Sequence, residues 1–188
     1  MNPTKRRKWQ VRPASPEDAG SVNALLKRSY EELLPADYDE TILSDALPLI
    51  TEAQEELLTC GTWYVVEEPD TKQVVGCGGW TRRSPTSKGL ADAKGVPHLR
   101  HFACHPDWTR RGIASVLWER TLADIKSCYE ELPCLEVYST VTATPFYRSL
   151  GFREVERVEV PLKHGAFMFP AVLMRRDNVD QQTSRSSS

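Results

Sequence analysis

Within residues 99–115 the chain changes its period, and that change limits the folds open to it. Residues 99–105 are a short run suited to a strand, stopped by Pro106. After Thr109-Arg110-Arg111-Gly112 the apolar residues Ala114, Trp118, Leu122 and Ile125 return on one helical stripe. A strand that turns tightly into an amphipathic helix needs partner strands beside it and a sheet face for the helix to cover.

The flanking sequence supplies both. Residues 10–13 read as a short strand, and Ser15-Pro16-Glu17-Asp18 as a helix start. Ser15 serves as cap, Pro16 fits the first turn, and the acids suit its positive end. Val22, Leu25, Leu26, Tyr30 and Leu33 continue that helix. A second helical region is expected over 39–58, interrupted at Pro48 and ended by Gly61. Residues 62–67 and 74–80 predict a hairpin around Pro69-Asp70. Residues 81–97 lack periodicity and read as a long loop. Strands are expected at 134–140, 154–162 and 166–174, with a short helix at 145–150 closed by Gly151. The pattern is α/β (α+β), built on one central mixed sheet.

A chain of 188 residues suits one domain. We expect it over residues 9–176, between a flexible basic N-terminus (1–8) and a disordered polar tail (177–188). The formal net charge is only −2, which argues against a dedicated nucleic-acid binder. No run approaches the ~20 apolar residues of a membrane helix, and no apolar segment follows the N-terminal charges as in a secretory signal. Five cysteines without a Cys-x-x-Cys pair fit reduced thiols in a cytoplasmic protein and argue against a metal site.

The turn at 109–115 carries chemistry. A helix N-terminus presents unpaired N–H groups and a positive dipole end, a ready site for a pyrophosphate. Gly112 lets backbone approach the phosphates, Arg110 and Arg111 add charge, and Ala114 keeps the helix start slim. An ordinary turn with solvated arginines would look the same in isolation. A second stretch, Val137-Tyr138-Ser139-Thr140-Val141-Thr142-Ala143-Thr144-Pro145-Phe146-Tyr147-Arg148-Ser149-Leu150-Gly151-Phe152, follows the helix.

In this order the two stretches resemble the GCN5-related N-acetyltransferase (GNAT) family. Its turn reads Gln/Arg-x-x-Gly-x-Gly/Ala and its later signature Asn-x-x-Ala-x-x-Phe-Tyr-x-x-x-Gly-Phe. The resemblance spans residues 10–175. Two positions depart from the pattern: Thr109 stands for Gln or Arg, and Thr140 stands for Asn. The resemblance implies a mostly antiparallel mixed sheet, flanked by helices, with a splayed parallel strand pair at 99–104 and 135–139. It implies acetyl-CoA as acetyl donor, no metal, and an amine as acceptor. The pantetheine arm would pair with strand backbone near Phe102, Ala103 and Cys104. The pyrophosphate would meet Thr109, Arg110, Arg111, Gly112, Ile113, Ala114 and Ser115, with Thr140 and Phe146 also beside the cofactor.

Transfer to an amine asks for a neutral nucleophile, a route for its proton, and an acid for the leaving thiolate. Tyr147 matches the family's tyrosine and is the acid candidate. His98 is the base candidate, in the place a histidine takes in the similar arylalkylamine N-acetyltransferases. Strict alternation would put His98, Arg100, Phe102 and Cys104 on one face, with His101 on the other against helices. His105 and His164 are expected to stand apart from the chemistry. Trp80, Tyr30, Tyr38 and the 81–97 loop are candidates for the acceptor pocket. The acceptor itself stays open, from a small amine to a peptide, and so does a homodimer. Two other readings remain: a catalytically silent acyl-CoA-binding module, and an unrelated phosphate-binding domain. The second is weakened because neither Gly-x-x-x-x-Gly-Lys-Ser/Thr nor Gly-x-Gly-x-x-Gly occurs.

Overall fold

The computed structural model describes residues 9–86, 95–131 and 134–177. The basic segment 1–8, most of the tail and the middle of the expected 81–97 loop lie outside the described residues. The strands are β1 (Gln10–Pro13), β2 (Trp63–Glu67), β3 (Val74–Thr81), β4 (His98–Cys104), β5 (Leu135–Ser139), β6 (Arg153–Leu162) and β7 (Phe167–Arg176). They form one sheet in the order β1-β2-β3-β4-β5-β7-β6. Every neighbouring pair is antiparallel except β4 with β5, which is parallel. The mixed, mostly antiparallel sheet is the fold expected from the sequence.

Helices cover both faces. On one side lie α1 (Ala19–Leu33), α2 (Glu40–Ile50) and α3 (Glu55–Thr59). Val22, Leu25 and Leu26 of α1 and Leu57 and Leu58 of α3 bury against Trp63, Val65 and Ala103. On the other side lie α4 (Ile113–Cys128) and α5 (Thr144–Ser149). Leu117 and Ile113 of α4 pack on Tyr64, Val66 and Val75. Trp118 and Ile125 join Leu99, Val137 and Phe152. Ser15 and Asp18 form the expected helix start, with Ser15 N–H donating to Asp18 Oδ2 at 2.8 Å. Asp18 also takes two hydrogen bonds from the Arg12 guanidinium, at 2.8 and 2.7 Å, which ties β1 to α1.

Pro48 does not interrupt its helix. It sits in the last turn of α2, where only its own missing bond to residue 44 is lost. The break comes after Ile50, where Thr51 Oγ1 donates to the Leu47 carbonyl at 2.7 Å. The connection onward is held by α1, through Ala53 N–H to Asn23 Oδ1 at 2.6 Å.

The strict alternation expected along β4 also fails. β3 pairs Cys77 with Ala103 and Gly79 with Arg100, so Gly78 alone opposes both His101 and Phe102. This is a β-bulge, and His101 takes a left-handed φ of 48° within it. Gly78 is required there, because a Cβ would sit 2.8 Å from the Phe102 ring. The bulge flips the strand's second half. Arg100, His101 and Ala103 contact the α1–α3 layer, whereas Phe102 and Cys104 turn to the α4–α5 layer. His101 therefore shares a side with Arg100, and Phe102 and Cys104 leave it.

Candidate active site

The site is set by how far β4 and β5 stay together. They pair at His98↔Glu136 and Leu99↔Val137 and no further. Beyond Leu99 the strands part, which leaves the β5-facing backbone edge of residues 100–104 without a strand partner. An extended arm carrying amides can add to such an edge as a strand does.

At the far end of β4 is the basic turn. Arg110 and Gly112 have φ of 59° and 86°. Left-handed residues alternating with right-handed ones form the backbone concavities that bind anions. Gly112 is the N-cap of α4, and the turn is exposed. Its shape is held from behind. Trp9 Nε1 donates to the Arg111 carbonyl at 2.9 Å, and the Arg111 guanidinium lies 4.8 Å from the centre of the Trp108 ring. Thr109 Oγ1 donates to the Pro106 carbonyl at 3.0 Å, so this hydroxyl closes the turn rather than reaching outward. Burial pushes the Cys104 thiol pKa up to about 11, against a smaller opposing pull from the Ala114 backbone N–H.

At the other end a cavity of about 380 Å³ opens through the split. Leu99, Phe102 and Tyr147 reach it from the α4–α5 side, and Tyr30, Gln54, Arg100 and His101 from the α1–α3 side. Tyr147 is 3% exposed and packs edge-on to Phe102, Phe146 and Phe152. Burial, with a smaller push from Cys104, holds its phenol well above the ordinary tyrosine value, so it keeps its proton. Phe146 flanks it, 6.2 Å from Phe102 between ring centres.

A polar chain runs along the opposite wall. Arg100 donates to Gln54 Oε1 at 2.9 Å. Gln54 Nε2 lies 3.5 Å from His101 Nε2, and His101 Nδ1 lies 3.3 Å from the Tyr30 hydroxyl. The charged end sets the polarity. Because Gln54 accepts through its oxygen, its amide nitrogen donates, His101 accepts at Nε2 and carries its proton on Nδ1. Tyr30 then accepts from His101 and is left with its own O–H to give. Burial and the neighbouring Arg100 lower the His101 pKa to about 3, so the ring is neutral near pH 7. Sequence alone did not single out Gln54, and nothing in its local pattern could have. Arg100 had a signal, a cation inside a strand that is otherwise mostly apolar.

His98 lies outside this cavity's lining. It is 1% exposed, with Nδ1 3.8 Å from Glu136 Oε2 and its ring stacked 6.3 Å from that of Tyr138. Tyr138 itself lines the cavity, so His98 stands one layer behind the wall. Thr140 lines the cavity, but its hydroxyl accepts from Ala143 N–H at 3.2 Å and caps the turn into α5. Tyr30 and, from the loop, Arg83, Ser84 and Pro85 line the cavity as expected. Trp80 and Tyr38 do not. Trp80 is 1% exposed and donates to Asp124 Oδ2 at 2.7 Å on the α4 side. Tyr38 stacks on Phe169 and donates to the Pro170 carbonyl at 3.0 Å.

Residues 36–167 match the Acetyltransferase (GNAT) domain. The chain belongs to the GNAT acetyltransferase family. The GNAT domain makes it an acetyl-CoA-dependent acyltransferase. A comparison with curated proteins yields no match. Among solved structures, a GCN5-related N-acetyltransferase from Rhodopseudomonas palustris has a TM-score of 0.66 at 18% identity, covering 94% of this chain and 99% of that one. The PaiA N-acetyltransferase from Thermoplasma acidophilum, in complex with coenzyme A, has 0.66 at 12%, covering 90% and 99%. The ribosomal-protein-S18-alanine N-acetyltransferase from Escherichia coli has 0.56 at 14%, covering 91% and 94%. These likenesses establish the fold of the GNAT domain. No helix among the described residues is long and apolar enough to cross a membrane.

Proposed function

We propose that the protein moves an acetyl group from acetyl-CoA to a primary amine by direct attack in a ternary complex. The observation that carries this reading is the early parting of β4 from β5, with a basic turn of left-handed residues at one end of the opening and a cavity at the other. A donor with a pyrophosphate, an amide-bearing arm and a thioester fits that order of features. Backbone N–H groups of Gly112, Ile113 and Ser115 would hold phosphate oxygens, with Arg110 adding charge. The backbone of Phe102, Ala103 and Cys104 would pair with the arm and hold the carbonyl oxygen as it gains charge.

The amine nitrogen attacks the thioester carbon, the C–S bond breaks, the sulfur leaves as a thiolate, and the nitrogen gives up one proton to water as the neutral amide forms. Tyr147, buried between Phe102 and Phe146 at the opening, hydrogen-bonds that sulfur through its phenolic O–H as the charge develops. The amine must first shed a proton, since a lysine-like ammonium has a pKa of about 10.4. Among the described residues, Arg83, Arg100 and Lys163 line the cavity against a single carboxylate, Glu56. That positive field disfavours an ammonium and lowers its pKa. We assign the proton to water at the cavity mouth, because His98 stands behind the wall.

Two measurements test the reading. Calorimetry should show acetyl-CoA binding, and a panel of primary amines should release coenzyme A thiol. Binding without release on any amine would favour a silent acyl-CoA-binding module. Absence of binding would refute the assignment of the turn.

A further inference from the structure

Among the described residues, Arg100 is a buried cation without a counter-ion. It is 8% exposed and faces the cavity. Among the described residues its guanidinium meets two neutral oxygens, Gln54 Oε1 at 2.9 Å and Thr81 Oγ1 at 3.3 Å. No carboxylate oxygen among the described residues lies within 4.0 Å of it. The nearest acid by its effect is Glu56, which raises the Arg100 pKa only against a larger lowering by burial. Glu56 is already shared with Arg83, at 4.0 Å. Buried charges in proteins are normally paired, because an unpaired one keeps its desolvation penalty. A guanidinium at a cavity wall, with donors left over, is shaped for a two-pronged oxyanion.

The anion is not the pyrophosphate of the donor. Arg100 lies four residues before Cys104, so about 13 Å of strand separates it from the start of the basic turn. The neighbours agree on sign: Arg83 and Lys163 also line this cavity. His101 adds no charge of its own near pH 7.

We propose that Arg100 receives a carboxylate of the acceptor, so that the amine acetylated here is a small amino acid or a similar amine bearing a carboxylate. This rests on the acetyltransferase reading above and adds the substrate class to it. The cavity of about 380 Å³ suits such a molecule beside the end of the donor arm. The carboxylate would complete the ion pair that the fold leaves open. It would also fix the amine relative to the split between β4 and β5.

The test uses matched acceptors, α- and ω-amino acids against their carboxamides, with acetyl-CoA and thiol release as readout. The wild type should favour the acid of at least one pair by roughly 10–100-fold in kcat/KM. Arg100→Gln should bring that ratio close to one, and Arg100→Lys, which keeps the charge but not the fork, should fall between. A wild-type ratio near one for every pair, or an unchanged ratio in Arg100→Gln, overturns the proposal. Melting temperature and acetyl-CoA affinity of each variant show whether the fold is kept. A second arm needs no turnover and avoids the different amine basicities of acids and amides. Wild-type protein, with and without coenzyme A, is titrated with N-acetyl amino acids and their amides. Tighter binding of acids supports the proposal, and equal or absent binding overturns it. Failure of acetyl-CoA itself to bind overturns the acetyltransferase reading instead, and the titration without coenzyme A still reports on Arg100.

Discussion

Tyr147→Phe replaces one hydroxyl by hydrogen at the centre of the opening. The ring stays, and with it the contacts to Phe146, Phe152 and Phe102 at 5.2, 5.7 and 6.3 Å. The hydroxyl makes no hydrogen bond among the described residues, so melting temperature and acetyl-CoA affinity should hardly move. The size of the rate effect follows from the acidity. A thiol ionises near 8.5, whereas the Tyr147 phenol is held above the ordinary value of about 10 by burial. Complete proton transfer to the departing sulfur is therefore uphill. Tyr147 acts chiefly by hydrogen-bonding the charge as it develops, an interaction of about 1.5–3 kcal/mol for a charged acceptor. That corresponds to a fall in kcat of about 10–150-fold, towards the low end for general acids. The assay is single-turnover acetyl transfer, which isolates the chemical step from product release. The wild type should also show no falling limb up to about pH 9.5, because its phenol stays protonated there. An unchanged single-turnover rate would refute the role. So would a loss of acetyl-CoA affinity with the rate intact, which would make the hydroxyl a binding group.

Three further outcomes follow from the geometry. Gly112→Asp meets open space at the added Cβ, and its φ of 86° adds a backbone strain that aspartate bears better than most residues, so a small drop in melting temperature accompanies a kept fold. It should weaken acetyl-CoA by about 10-fold or more through repulsion of the pyrophosphate, read by calorimetry; unchanged affinity would move the phosphate site elsewhere. The kcat/KM profile should rise with pH in step with the acceptor amine and be the same in His98→Gln, and a shift of that profile in the variant would restore His98 as the base. His101 has its folded pKa depressed to about 3 against 6.5, so its contribution is fully present above pH 6.5 and lost as pH falls towards 3. Denaturant melts should then show the wild type losing up to about 2 kcal/mol more than His101→Gln between pH 7.5 and pH 5, and parallel losses would refute the burial of that ring.

The residues that announce chemistry through local backbone requirements were legible in the sequence. Gly112 needs a left-handed φ at a helix start, and Gly151 ends α5 with one. The strand-to-helix change after Pro106 marks where the two meet. Such features need no knowledge of what lies across the sheet. The second half of β4 was not legible for the opposite reason. A period of two assigns faces only while each residue has one partner, and Gly78 opposes two. The cause lies in another strand, some twenty residues earlier, where a glycine admits the Phe102 ring. That one exchange moves His101 in line with Arg100 and Gln54 and sends Phe102 to Tyr147. The polar wall of the cavity and the packing of Tyr147 are thus consequences of the same bulge. A regular β4 would put Phe102 on the side of Gln54 and turn His101 towards α4, so the polar wall of the cavity depends on Gly78 as much as on the residues that form it.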